Sequence, residues 1–192
     1  ITNFVDKVYT KLCGPNGIKP TVKLSASVWG IYKDIWGWGS SQGYSDYYQD
    51  SRKWLAKGII DFVSPMIYWP IYSSTGKWNF ATLVKDFGDN SSNRHIYAGM
   101  QADYSSFTEL ADEINLTRNT QGTQGNAIFA YSTLTSKGYW ANLSAVTGPY
   151  KDQAIVPSMP WKVFIDTGII TGIITKPDGT PVENISVQAW LN

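Results

Sequence analysis

Apolar and polar positions along the chain fall into two textures that alternate. Short, dense apolar runs begin near Val22 (VKLSASVWG), Ile60 (IDFVSPMIYW), His95 (HIYAGMQA) and Asn126 (NAIFAYS). They leave no clean period-two alternation, which predicts strands covered on both faces. Between them apolar residues recur every three or four positions, which predicts helices. Phe4, Val5, Val8 and Leu12 form one such stripe, ended by Gly14-Pro15. Tyr44 to Lys57 predicts a helix carrying Tyr47, Tyr48, Trp54 and Leu55, capped by Ser41 or Ser45 and terminated by Gly58. Trp78 to Phe87 places Phe80, Leu83, Val84 and Phe87 on one side. Ser106 with Glu109 reads as a capping box, and Leu110 and Ile114 follow on one face. A short helix is expected around Tyr139 to Val146.

The strand starts leave room for a helical crossover in each interval, so the pattern predicts a parallel α/β fold. A complete (β/α)8 barrel takes roughly 250 residues and eight strands. Counted back from the Pro-rich tail (Gly148-Pro149, Pro157, Pro160, Trp161), these four correspond to the last four. The expected fold is therefore the C-terminal half of a (β/α)8 TIM-type barrel over residues 1–166, with the tail wrapping its bottom or side. From about residue 167 to 192 the texture becomes strand, turn, strand, with Pro177-Asp178-Gly179 as the turn. That segment reads as the opening hairpin of a β-sandwich module.

Aromatic content changes the picture most: nine Trp, twelve Tyr and seven Phe in 192 residues. Many lie beside Gly, Ser, Asn and Gln rather than in apolar runs. Such mixtures suit a carbohydrate surface, where rings stack on sugar C–H faces and amides meet hydroxyls. Charged residues make up 16% and the formal net charge is +1, so the electrostatic footprint of a nucleic-acid binder is missing. Cys13 is the only cysteine and His95 the only histidine, which leaves no intrachain disulfide, thiolate cluster or histidine triad to build. No cofactor, metal or membrane span is expected. Ile1 is not an initiator methionine, so upstream sequence is expected.

The run Tyr44-x-Asp46-x-x-x-Asp50-Ser51-Arg52-Lys53-Trp54-Leu55-x-x-Gly58-x-Ile60-Asp61-Phe62-x-x-Pro65-x-Ile67-Tyr68-Trp69 resembles the bacterial glycoside-hydrolase-like (β/α)8 barrels described as family-ten-like. Phe4-Val5-x-x-Val8-Tyr9, Lys19-Pro20-x-Val22-Lys23 and Val156-Pro157-x-Met159-Pro160-Trp161 extend the resemblance over roughly residues 1 to 165. It implies a glycosidase fold, and members of that family include hydrolases of peptidoglycan glycan stripped of its stem peptides. Met66 stands where the family usually has Gln after the strand proline. The family's Asp-Asp-Tyr motif at the end of the fourth barrel strand would lie upstream of Ile1, and no Asp-Asp pair occurs in this sequence.

Glycoside hydrolysis usually needs two carboxyl groups at strand exits. Asp103, just after His95-Ile-Tyr-Ala-Gly-Met-Gln-Ala, is the one carboxylate placed immediately beyond a strand, and it is the catalytic candidate. The bland alternative is an Asp capping a turn. Asp34 reads as a loop charge, Asp61 as a structural acid at the bottom of the barrel, and Asp46 and Asp50 as helix-start acids. Trp29, Tyr32, Tyr68, Trp69, Gln101, Tyr104 and Tyr131 are the candidate substrate-binding residues, with Trp36 and Trp38 nearby. Each ring alone could as well be core or loop packing.

The reading that follows is part of a glycoside hydrolase acting on bacterial glycan, secreted, periplasmic or lipid-anchored. Its expected partners are the glycan and either the N-terminal half of the barrel or a second copy. The isolated chain is expected to be inactive. A non-catalytic carbohydrate-binding barrel and a structural protein with packed aromatics are the rivals.

Overall fold

The computed structural model describes residues 1–104, 106–163, 174–182, 185 and 187. Four parallel strands form one sheet in chain order: β1 (Ser25–Trp29), β2 (Phe62–Met66), β3 (His95–Gln101) and β4 (Gly125–Phe129). Neighbours in sequence are neighbours in the sheet, joined by helical crossovers, which is the arrangement of half a (β/α)8 barrel. The helices are α1 (Thr2–Val8), α2 (Gly43–Asp46), α3 (Ser51–Ala56), α4 (Phe80–Asp89), α5 (Phe107–Asn119), α6 (Tyr131–Ser136), α7 (Trp140–Ser144) and α8 (Pro160–Val163).

The register divides the sheet into two faces. Val28 pairs with Pro65, and Val63 with Ile96, and this face is buried beneath the helices. The opposite face carries Trp29, Met66, Gly99 and Ala127 in one row, with Gln101 and Phe129 paired two residues further on. In β2 the residues of this second face, Phe62, Ser64 and Met66, are only half-buried. The expectation that both faces are covered is therefore corrected for β1, β2 and β4. The dense apolar runs reflect one thick helix-covered layer and one inward barrel face, and only β3 is mostly buried along its length.

The core is assembled where the helical periodicity indicates. Phe80, Leu83, Val84 and Phe87 of α4 are all buried, as are Leu110 and Ile114 of α5. Burying each such side chain contributes roughly 1.5–3 kcal/mol. Helix α4 starts at Asn79, whose side chain accepts the Thr82 N–H at 2.9 Å.

Two helices differ from expectation. After α1 the chain makes a π-helical turn over Tyr9–Cys13, closed by Gly14 N–H to the Tyr9 carbonyl at 2.6 Å. The extra residue per turn rotates the buried stripe by one position. Cys13 is buried at 1% exposure and Tyr9 with it, whereas Leu12 is 37% exposed and Phe4 is exposed. Of the Phe4-Val5-Val8-Leu12 stripe, Val5 packs against the core and Val8 is half-buried, while Phe4 and Leu12 turn away from it. The helix expected from Tyr44 to Lys57 is broken into α2 and α3, with Tyr48 in the left-handed region at φ 55. Gln42, not Ser41 or Ser45, precedes its first turn. Gly58, at φ 66, ends α3 as predicted.

The bottom of the sheet is closed by Asp61, which is fully buried. It accepts the Leu24 N–H at 2.7 Å, the Tyr9 hydroxyl at 3.0 Å and the Trp161 indole N–H at 2.7 Å. The Lys162 ammonium lies 3.2 Å away. The Pro-rich tail thus fastens to the bottom of the barrel through α8, as its sequence suggests. The turn at Pro177-Asp178-Gly179 joins an antiparallel bridge between Thr175 and Pro181. The remainder of the 167–192 hairpin lies outside the described residues. No helix among the described residues is long and apolar enough to cross a membrane.

Candidate functional site at the strand exits

Parallel strands deliver all their C-terminal ends to one side, so the candidates share that end of the sheet. At the exit of β1, the Trp29 indole donates to the Ser41 carbonyl at 2.8 Å and its ring lies 4.8 Å from Tyr47. The break between α2 and α3 explains this placement. It turns Gln49 back to accept the Trp29 backbone N–H at 2.7 Å and lays Tyr47 against the indole.

At the exit of β2, Tyr68 stacks on Phe129 from the end of β4, with ring centroids 5.7 Å apart. Gln101 is paired with Phe129 in the β3–β4 register, so these residues meet around the end of β3. Phe129 is 64% exposed. It was not among the residues singled out from sequence, although its strand-end position and its place on the Gln101 face were the available signal. Tyr131 follows at the start of α6, is exposed, and lies 5.2 Å from the ring of Trp140. The Trp140 indole N–H donates to the Thr135 hydroxyl, leaving part of the ring exposed. Trp140 was also not singled out.

Two candidates face inward. Tyr32 is buried, donates its hydroxyl to Asp50 at 2.7 Å, and has the Arg52 guanidinium over its ring at 4.4 Å. Tyr104 is buried with its hydroxyl 2.7 Å from Glu113 Oε1 and 3.1 Å from the Trp69 carbonyl. Both are buried with their hydroxyls engaged inside the protein, by Asp50 and by Glu113. Trp69 is half-buried and packs against the core.

Asp103 stands beyond β3 with its side chain 74% exposed, 3.2 Å from the Lys137 ammonium. The same ammonium donates to the Tyr104 carbonyl at 2.6 Å. Asp34 is a loop organiser: its carboxylate accepts the N–H groups of Trp38 and Gly39 at 2.9 and 2.7 Å. His95, at the opposite end of β3, is buried against Trp161, and burial lowers its pKa.

The expected capping box does not form. Ser106 precedes α5 without a side-chain cap, and Glu109 Oε1 instead accepts the Ile71 N–H at 2.7 Å. One turn further, Glu113 is completely buried, and burial raises its carboxyl pKa to about 9. Sequence reasoning passed over Glu113. Its position between Leu110 and Ile114 was the signal, because it puts an acid on the buried side of the helix.

The arrangement can offer aromatic faces, an amide and an exposed carboxylate to a polyhydroxylated ligand at the strand exits. Over residues 1–110 the chain matches the family model described as Glycosyl hydrolase-like 10. It is similar to Glycosyl hydrolase YngK of Bacillus subtilis (strain 168), with 30% identity over 162 residues, covering 74% of this chain and 31% of YngK. It is also similar to Glycosyl hydrolase DigH of Escherichia coli (strain K12), with 31% identity over 78 residues, covering 38% of this chain and 17% of DigH. The chain therefore spans less than a third of the length of these relatives within the matched regions. The half-barrel topology and a family match over more than half of its residues show that this chain belongs to the Glycosyl hydrolase-like 10 family.

Proposed function

We propose that the chain supplies half the barrel of a glycoside hydrolase that acts on bacterial glycan, with peptide-stripped peptidoglycan strands as the substrate class. The observation that carries this reading is the set of aromatic rings at the exits of β1, β2 and β4, flanking the Gln101 amide at the end of β3. Trp29, Tyr68, Trp69, Phe129 and Tyr131 would stack on sugar rings, and Gln101 would bond to hydroxyls. Asp103 would assist as an acid/base group or as an acceptor for a sugar hydroxyl. General acid–base assistance is worth ~10²–10⁴ in rate, far less than a full site supplies. The principal carboxylates and the rest of the barrel wall would come from elsewhere in the longer protein or from a second copy. A glycan substrate of this kind fits a secreted, periplasmic or lipid-anchored protein.

The test compares the full-length protein with the isolated 192-residue chain on peptide-free peptidoglycan glycan. The full-length protein is expected to release products and the isolated chain to release none. In the full-length protein Trp69→Ala and Phe129→Ala should each weaken glycan binding by ~1–3 kcal/mol, the scale of burying a large side chain. Equal turnover by the isolated chain, abolished by Asp103→Asn, would place the catalytic centre within it and overturn the division of labour. Glycan binding without turnover in either form would favour a non-catalytic binding barrel. The exposure of Asp103 and its ion pair with Lys137 favour that second reading.

A further inference from the structure

Glu113 is an acid buried on the helix side of the strand exits, with no part in the aromatic surface. Its Oε1 lies 2.7 Å from the Tyr104 hydroxyl, and its Oε2 has no hydrogen-bond partner among the described residues. The same hydroxyl is 3.1 Å from the backbone carbonyl of Trp69. A phenol carries one proton and cannot donate it fully to two acceptors. A neutral Glu113 resolves the conflict: its acid proton on Oε1 goes to the Tyr104 oxygen, and Tyr104 donates its own proton to Trp69. Burial of the carboxyl favours that neutral form. It also makes the unpartnered Oε2 a carbonyl oxygen rather than a charged one, which is far less costly to bury.

The Trp69 segment is held from two further directions. The Ile71 N–H donates to Glu109 on the same helix at 2.7 Å, and the Pro70 carbonyl accepts the Phe80 N–H at 2.8 Å. Two apolar side chains would fill the space of Glu113 and Tyr104 without the desolvation penalty of a buried acid. What they would lack is a donor aimed at the carbonyl of the aromatic residue itself.

We propose that Glu113 and Tyr104 form a positioning relay that fixes the Tyr68–Trp69 segment of α5's neighbouring loop for glycan stacking. The relay rests on the glycan reading above. Neither residue touches the ligand: Tyr104 holds the Trp69 backbone, and Glu113 holds Tyr104.

The test uses the full-length protein at pH 7 with three variants. Tyr104→Phe removes only the hydroxyl. Glu113→Leu removes the polar group at similar bulk, and Glu113→Gln restores a neutral donor. Tyr104→Phe and Glu113→Leu are expected to raise the Kd for soluble peptide-free peptidoglycan glycan about 3- to 10-fold, the range of one lost hydrogen bond. Glu113→Gln should restore it to within twofold. Hydrogen exchange in the peptide spanning Tyr68 to Tyr72 should accelerate in the first two variants and return in the third. Should Glu113→Leu fail to fold, Tyr104→Phe carries the test alone. An unchanged Kd in Tyr104→Phe, when Trp69→Ala weakens binding, would overturn the proposal. If Trp69→Ala has no effect on binding, the glycan reading itself fails. Exchange then decides the relay, and an unchanged rate in Tyr104→Phe would overturn it.

Discussion

Asp103 and Glu113 are both acidic residues near the strand exits, and their surroundings separate them. Asp103 is largely exposed and faces an ammonium, while Glu113 is sealed beneath α5 beside a phenol. The buried acid has a consequence for stability. Burial raises its folded-state pKa from 4.5 to about 9; the Tyr104 hydroxyl, by donating to the ionised form, limits the rise, and the nearby Glu109 charge adds to it. Between those values the folded protein holds a proton that the unfolded chain releases. Glu113's contribution is therefore fully present below about pH 4.5, declines as pH rises, and levels off above about pH 9. The slope attributable to this group is at most about 1.4 kcal/mol per pH unit. Glu113→Gln should flatten that component. Denaturant titrations at pH 5.5, 7 and 8.5 would check it, and parallel stability profiles for the two proteins would contradict it.

At the scale of elements, α4 is the simplest case in the molecule. Its apolar face and the buried residues on it follow from local pattern; its start lies two residues past the expected Trp78, at Phe80, because Asn79 caps it and Trp78 is at φ 50. Asn79 satisfies the Thr82 N–H, so Asn79→Ala should destabilise the protein by about 1 kcal/mol, and Asn79→Asp or Asn79→Ser should recover most of the loss. Thermal or denaturant melting distinguishes these variants. The α2–α3 region is the contrary case. A continuous helix over Tyr44 to Lys57 would satisfy its own backbone, yet the chain breaks so that Gln49 reaches Trp29 and Asp50 reaches Tyr32. Those partners lie 20 and 18 residues away in sequence, beyond the range of any helical periodicity.

Across the whole molecule, Asp61 joins parts of the chain that are far apart in sequence. The segment after α1, the approach to β1 and the tail at α8 all converge on its two oxygens. Lys162, itself nearly buried, also donates to the carbonyls of Cys13 and Val22 at 2.7 and 2.9 Å. Removing the carboxylate would strand this ammonium and an indole N–H. Asp61→Ala is expected to cost about 3–5 kcal/mol, as for other buried pairs that lose one partner. A loss under 1 kcal/mol in the unfolding free energy from chemical denaturation would show that the tail is not fastened through this residue. The aromatic surface lies at the opposite end of the strands, so at temperatures where the variant remains folded its affinity for glycan should be unchanged.

By itself the sequence determined the order of the four strands, the parallel topology, the core face of α4, the terminator at Gly58 and the placement of aromatics at strand exits, but not the break between α2 and α3 or the helices α6 and α8. Each feature so determined depends on period, turn chemistry or position within a strand, which are local properties. Asp61's structural place was legible for the same reason, since it stands at the start of β2. Only the tertiary structure decided which of those exits turn outward. Tyr32 and Tyr104 have the same sequence context as Tyr68 and Tyr131, but Asp50 and Glu113 draw their hydroxyls inward. Glu109 has the spacing of a capping residue, yet the Ile71 N–H lies within its reach and takes it. The π-helical turn shifts the first buried stripe from Leu12 to Cys13. Asp50 lies 18 residues from Tyr32 and Ile71 lies 38 from Glu109, beyond the reach of a local pattern; Glu113 is legible as a buried acid but its partner Tyr104 is not, and an ideal helical period does not contain the extra residue of a π-turn.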